Sequence, residues 1–207
     1  MTNWFTSDWH LFGENFLKNP LRSIFSNVEE MNKAIIDRVF SDVKPGDNLY
    51  FLGDIGWKFP EGYLTKLFTD IKRHKINFFW IEGNHDASIK VDSSAIKWRG
   101  QIKDIVVNKQ PITLCHYPMI VYNKSHYGAW NLFGHIHYED YTWNAMKKVT
   151  PNEILKGKRC NVNIELYNFR PLSFEEIGSF FEVETFEGNK IYRNFDLIER
   201  QDSESTK

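Results

Sequence analysis

Residues 78–89 read FFWIEGNHDASI. Phe78, Phe79, Trp80 and Ile81 form an apolar strand that runs through Glu82-Gly83 and stops at Asn84-His85-Asp86. A turn requires a glycine, but it does not require an amide, an imidazole and a carboxylate in succession. The same ending recurs along the chain. Asn3–Ser7 runs into Asp8-Trp9-His10, Asn48–Leu52 into Gly53-Asp54, Pro111–Cys115 into His116, and Ala129–Phe133 into Gly134-His135-Ile136-His137. Of the 7 histidines in the chain, His10, His85, His116, His135 and His137 all stand at such ends, so their placement is not scattered. In α/β sheets the carboxyl edge of the strands is where ligands bind.

Between these strands lie helix signals, which makes the fold class α/β. Ser26-Asn27-Val28-Glu29 fits a capping box, and Val28, Met31, Ile35 and Val39 follow at helical spacing. Pro45-Gly46-Asp47 turns the chain into the second strand. A second helix is predicted around Glu61–Lys72, with Leu64, Leu67, Phe68 and Ile71 on one face. Asn161–Leu166 reads as a sixth strand, and Ser173-Phe174-Glu175-Glu176 as a further helix start. Phe181–Phe186 and Lys190–Phe195 flank Glu187-Gly188-Asn189 as a hairpin would.

No linker or repeat interrupts the pattern, so residues 1–200 read as a single domain and 201–207 as a frayed polar tail. With 26 basic against 27 acidic residues, nothing in the overall charge points to nucleic acid or an anionic membrane. No run approaches the ~18 apolar residues of a membrane span. MTNWFTSDWH lacks the charged and apolar regions of a secretory signal. Cys115 and Cys160 read as reduced core residues, and the expected location is the cytoplasm.

The strand ends have a chemical reading. In an extended segment alternate side chains share a face, so Asp8 and His10 point into one site while Trp9 points away, and His135 and His137 repeat the arrangement. Together with Asp54, Asn84 and His116 they supply enough donors for two divalent ions. Mixed nitrogen and oxygen donors suit Mn, Fe, Zn, Co or Ni better than Ca or Mg. Glycines before Asp54, Asn84 and His135 let the backbone turn sharply or approach the centre closely.

Taken together, Asp8-x-His10, Gly53-Asp54, Gly83-Asn84-His85-Asp86, His116 and Gly134-His135-x-His137 resemble the calcineurin-like metallophosphoesterase superfamily over residues 4–175. The stretches Arg22–Met31 and Asn161–Glu176 resemble its small single-domain bacterial and phage members. The resemblance implies a four-layer α/β/β/α sandwich with a two-metal site at one edge. Asp8, His10 and His137 would hold one ion and Asn84, His116 and His135 the other, with Asp54 bridging them. Manganese is the favoured metal.

The implied chemistry is hydrolysis of a phosphate ester, with a metal-bound hydroxide attacking phosphorus in line. His85 would protonate the departing oxygen, its tautomer held by Asp86 or a carbonyl. Arg22 and His126 are candidate substrate-binding residues, and Trp57, Tyr138, Tyr141 and Trp143 candidates for stacking on a base. The favoured substrate is a small nucleotide-like phosphodiester. Ile55-Gly56-Trp57 replaces the Asp-Arg-Gly of protein phosphatases, which argues against protein dephosphorylation. A nuclease is the alternative, with Lys147, Lys148, Lys156, Lys158 and Arg159 tracking the backbone of RNA or DNA. A protein-binding scaffold of the same fold is the alternative from another class, weakened by the presence of His85 and every ligand position.

Overall fold

The computed structural model describes residues 1–91, 93–137 and 158–182. Two sheets are built from short strands. In the first, β1 (Asn3–Thr6), β2 (Asn48–Phe51), β3 (Asn77–Ile81) and β4 (Ile96–Gly100) are parallel neighbours, and β9 (Leu172–Ser173) pairs antiparallel with β1. In the second, β5 (Ile102–Val107) is antiparallel to β6 (Gln110–Cys115), and β7 (Trp130–Phe133) and β8 (Arg159–Asn161) continue parallel to β6. The chain is thus mixed α/β with two parallel-rich sheets, as the sandwich expectation requires.

Alternation along the strands divides the first sheet into two faces. Leu49, Phe51, Phe78 and Trp80 face the helices, where they meet Met31, Ile35, Leu67, Phe68 and Ile71 in one buried cluster. Phe5, Tyr50 and Phe79 lie side by side in register on the other face, with ring centroids 5.2 and 4.7 Å apart. That face packs on Ile112, Leu114 and Leu132 of the second sheet.

The helices follow from their capping and spacing. In α1 (Val28–Asp42) the residues Val28, Met31, Ile35 and Val39 are buried, as the periodicity predicts. Its cap differs by one residue from the sequence reading. Asn27, not Ser26, accepts from the Glu30 amide at 2.8 Å, and the Glu30 carboxylate accepts from the Ser26 amide at 2.8 Å. Asn27 is extended with φ −158° and reaches the third amide of the helix, which is where a cap side chain must reach. In α2 (Tyr63–Arg73) Leu67, Phe68 and Ile71 are buried. The third helix, α3 (Phe174–Glu182), starts on a reciprocal box in which Ser173 Oγ accepts from the Glu176 amide and Glu176 Oε2 from the Ser173 amide, at 3.2 and 2.8 Å. It seats Ile177 in the inter-sheet cluster and stacks Phe174 on Trp130.

Three sequence readings change. The sixth strand stops at Asn161, and Ile164–Tyr167 forms a 3-10 turn instead, because the Asn163 side chain caps the Glu165 amide at 3.1 Å. Phe181 and Glu182 complete α3 and do not begin a hairpin strand. The rest of that hairpin and the polar tail lie outside the described residues, as do Tyr138, Tyr141, Trp143, Lys147, Lys148 and Lys156. Strands β4 and β5 were not anticipated: Lys97, Arg99, Lys103 and Asp104 break the apolar runs that mark buried strands. No described helix is long and apolar enough to cross a membrane.

The consequence for function lies at one edge. β1, β2 and β3 run parallel, so Asp8, Asp54 and Asn84 leave the first sheet on the same side. The Ser7 amide donates to Val162 O at 3.1 Å and Ser7 pairs with Asn163, which joins the two sheets there. The capping correction is testable by urea unfolding. Asn27→Ala should lower stability by about 1 kcal/mol, the usual worth of a cap, whereas Ser26→Ala should leave the midpoint unchanged.

Candidate metal centre

Each strand hands its chain to a sharply bent loop. Asp8, His10, Asp54 and His135 all have left-handed backbones, with φ of 57°, 46°, 61° and 69°. Non-glycine residues adopt that region rarely, and such strain concentrates at functional sites. Asp8 and His10 therefore do not share a face of an extended strand, as the sequence spacing suggests, because β1 ends at Thr6. They converge because two left-handed residues flank Trp9, whose indole turns into the core against Phe51 at 4.7 Å. Amides of these loops bond in pairs that hold the bend: Asp8 N to Gly53 O at 2.9 Å and His10 N to Asp54 O at 3.0 Å.

Two groups of ligand-type side chains result, Asp8 with His10 and His137, and Asp54 with His116 and His135. In the first, His10 Nε2 lies 3.1 Å from His137 Nε2 and 3.6 Å from Asp8 Oδ1. In the second, His116 Nε2 lies 3.4 Å from Asp54 Oδ2 and 3.1 Å from Asn84 Oδ1. Asp54 Oδ2 is also 3.7 Å from His10 Nε2, so one oxygen faces both groups. The structure brings together Asp8, His10 and His137 in one group and Asp54, His116 and His135 in the other, with Asn84 beside His116.

Electrostatics follows from burial and charge. Burial raises the Asp8 carboxyl, but His10, His137 and His116 overcome it and hold the group well below the usual carboxylate range. Burial drives the His10 imidazole down to about 4. It opposes protonation of His116 as well, yet the hydrogen bond with Asp54 and the charges of Asp8 and Asp54 push that ring up to about 9.

The surrounding residues orient the donors. His116 Nδ1 donates to Leu52 O at 2.7 Å, which turns Nε2 inward as the nitrogen that a metal would meet once its proton is displaced. His137 Nδ1 meets Glu165 Oε2 at 3.0 Å, with the same result. Glu165 was missed by the sequence reading, because it was placed mid-strand; the Asn-x-Asn-x-Glu spacing of Asn161, Asn163 and Glu165 is the signal that stood there. The Asp86 carboxylate does not hold the His85 ring. It is buried and accepts from Asp54 N, Ile55 N, Gly83 N and Trp80 Nε1, at 2.8, 3.0, 2.9 and 3.0 Å.

Of the two candidate substrate-binding residues, Arg22 requires correction. Arg22 is fully buried, with Nε on Glu165 Oε2 at 2.8 Å and its terminal nitrogens on Asp8 O and Trp9 O at 2.5 and 3.1 Å. Its guanidinium is committed to the protein and is not a fork for phosphate. His126 sits on an exposed 3-10 turn, Ser125–Tyr127, with its ring 4.1 Å from Tyr127 and no described contact to the two groups. Arg159, from the proposed basic strip, donates to Ile120 O at 3.0 Å. His85 does face the centre. Its side chain is 43% exposed, its Nε2 lies 4.0 Å from Asp54 Oδ2, and Trp57 covers its ring at 4.7 Å.

Fold and site together define an α/β protein with two groups of side chains that could hold metal ions at the shared edge of its sheets. The family model for calcineurin-like phosphoesterase matches residues 1–158, and the chain belongs to that family. Membership carries metal-dependent hydrolysis of phosphate esters. The chain is 30% identical over 190 residues to the uncharacterized protein MJ1445 of Methanocaldococcus jannaschii, covering 90% of this chain and 92% of that protein. The crystal structure of AQ665, a protein of unknown function from Aquifex aeolicus, superposes with a TM-score of 0.58 at 19% identity, over 86% of this chain and 98% of the other. The phosphoesterase YfcE of E. coli gives a TM-score of 0.35 at 20% identity, over 65% and 69% of the two chains.

The close approach of the loops makes a steric prediction. A Cβ at Gly83 would stand 2.2 Å from Asp54 Oδ1 and 2.8 Å from its amide nitrogen. Gly83→Ala should therefore displace Asp54 and lower divalent-ion uptake by calorimetry, while far-ultraviolet circular dichroism stays native.

Proposed function

We propose that the protein is a dinuclear, metal-dependent phosphodiesterase acting on a small nucleotide-like substrate, with manganese as its favoured metal. The observation that carries this reading is the single Asp54 oxygen facing His116 Nε2 at 3.4 Å and His10 Nε2 at 3.7 Å. The donors fit such ions. Nδ1 of His116 and of His137 is engaged behind each ring, so both Nε2 atoms point inward, where a metal would displace their protons. Asp8, His10 and His137 would hold one ion, Asn84, His116 and His135 the other, and Asp54 both. Nitrogen and carboxylate donors in this mixture suit first-row transition metals. When bound, two such ions clamp phosphoryl oxygens and acidify a water enough to serve as nucleophile near neutral pH.

The chain's own residues account for the remaining steps. His85 is open to solvent on one side and lies beside Asp54 on the other, which suits it to carry a proton at Nε2 to the departing oxygen. Trp57 restricts the ring, so the proton is delivered in one direction. Tyr117, 46% exposed and 4.7 Å from the His135 ring, flanks the opposite side of the centre. These two aromatics support a substrate with a planar base. The burial of Arg22 withdraws the guanidinium that a phosphate dianion would use, which favours the singly charged diester.

The decisive experiment separates neighbours in the sequence. Asn84→Ala should lower the occupancy of one ion. His85→Ala should keep both ions and lose turnover by about 10²–10⁴, the usual worth of general acid catalysis. The loss should be smallest on a nitrophenyl diester, whose leaving group departs unaided, and largest on a nucleotide diester. An equal loss on both substrates would show that His85 positions the phosphate and does not donate a proton. Chelation should abolish activity and manganese restore it. Greater activity on phosphoserine peptides than on diesters would overturn the substrate class.

A further inference from the structure

We propose that Glu165 is a positioning residue that acts through His137 on one metal group alone, so that the two ions are held with unequal affinity. The inference rests on the dinuclear reading above. It begins with a difference between the two groups. His116 is backed by a neutral carbonyl, Leu52 O, at 2.7 Å, whereas His137 is backed by the Glu165 carboxylate at 3.0 Å. A carboxylate behind an imidazole locks the ring and raises the basicity of the opposite nitrogen, and the ligand then binds metal more tightly.

Glu165 is also the centre of a buried unit that fastens the rest of that group. Its Oε2 accepts from Arg22 Nε at 2.8 Å and its Oε1 from Asn19 Nδ2 at 3.2 Å. Arg22 in turn donates to Asp8 O and Trp9 O, the peptide groups between the two other members, Asp8 and His10. The unit therefore spans from behind His137 to the backbone that presents Asp8 and His10. The 3-10 turn Ile164–Tyr167 and its Asn163 cap set the carboxylate at that depth. Among the described residues His10 Nδ1 is buried with no hydrogen-bond partner, so within this group the carboxylate support comes through His137. No comparable bond from Glu165 or Arg22 to Asn84, His116 or His135 is found among the described residues.

Calorimetric titration of manganese into the metal-free protein tests this. The wild type should bind two ions, one more tightly. Glu165→Gln, which keeps an acceptor for Arg22 but removes the charge, should weaken one ion by about 10–100-fold and leave the other unchanged. In a His137→Ala background the same substitution should have no further effect, because its route is gone. Equal weakening of both ions, or an undiminished Glu165→Gln loss without His137, would overturn the inference and leave the dinuclear reading standing. A wild type that takes up no manganese would overturn the dinuclear reading itself. An unpaired buried Arg22 can prevent Glu165→Gln from folding. In that event, nitrogen-15 NMR of the zinc-loaded, unsubstituted protein decides. A hydrogen-bonded proton on His137 Nδ1 with Nε2 as ligand supports the inference, and ligation through Nδ1 overturns it.

Discussion

The buried carboxylate of Asp86 joins the ends of two parallel strands, and the centre depends on it. Its oxygens accept from the amides of Asp54, Ile55 and Gly83 and from the indole of Trp80. A buried carboxylate is costly unless its lone pairs are filled, and here four donors fill them. Two of those donors belong to the loop that carries Asp54, and one to the loop that carries Asn84. The indole donor belongs to the core face of β3. A change at Asp86 would thus leave four donors without a partner, each costing about 1–3 kcal/mol, three of them in two loops at once. Asp86 touches no ligand-type atom of the two groups, yet it determines where Asp54 and Asn84 can stand.

This anchoring explains how the strained loops persist. Asp8, His10, Asp54 and His135 hold left-handed conformations that cost each residue of order 1–3 kcal/mol when unsupported. The support is cross-linked: Asp8 and His10 amides bond to the Gly53-Asp54 segment, the His135 amide bonds to Asp8, and the Asp54 loop bonds to Asp86. Glycine at 83 lets two of these backbones touch, since any Cβ there would overlap the Asp54 carboxylate. Strain in one loop is therefore opposed by bonds from another, and the fold by itself holds these side chains together.

The core that carries these loops is aromatic and layered. Trp9, Phe51, Phe78 and Trp80 fill the space under α1 and α2, while Phe5, Tyr50 and Phe79 stack toward the second sheet. Large rings on both faces hold the first sheet rigid where its carboxyl edge meets the second. Rigidity matters because the side chains of the two groups come from both sheets: Asp8, His10, Asp54 and Asn84 from the first, His116, His135 and His137 from the second. The bond from Ser7 N to Val162 O fastens the two sheets at that edge.

Much of this was legible in the chain itself. Apolar runs ending in Asp-x-His, Gly-Asp, Gly-Asn-His-Asp and Gly-His-x-His announce parallel strands that carry donors at one edge, because strand periodicity and ligand chemistry are both local. The helical spacing of Val28, Met31, Ile35 and Val39 was readable for the same reason. The roles of Arg22, Glu165 and Asp86 were not. Arg22 and Glu165 are separated by 143 residues and become partners only when β8 and the turn after it fold against β1, so no window of sequence contains the pair. Arg22 alone reads as a candidate for binding substrate, and only its burial shows that its charge is turned inward. The convergence of Asp8 and His10 was foreseen from the wrong geometry, since left-handed backbone is held by bonds to Gly53 and Asp54 from another strand. The sequence by itself determined which ligand-type side chains are present and at which strand ends they stand. Tertiary structure alone decided which charges pair behind them, because burial and long-range contact set the cost of every uncompensated charge.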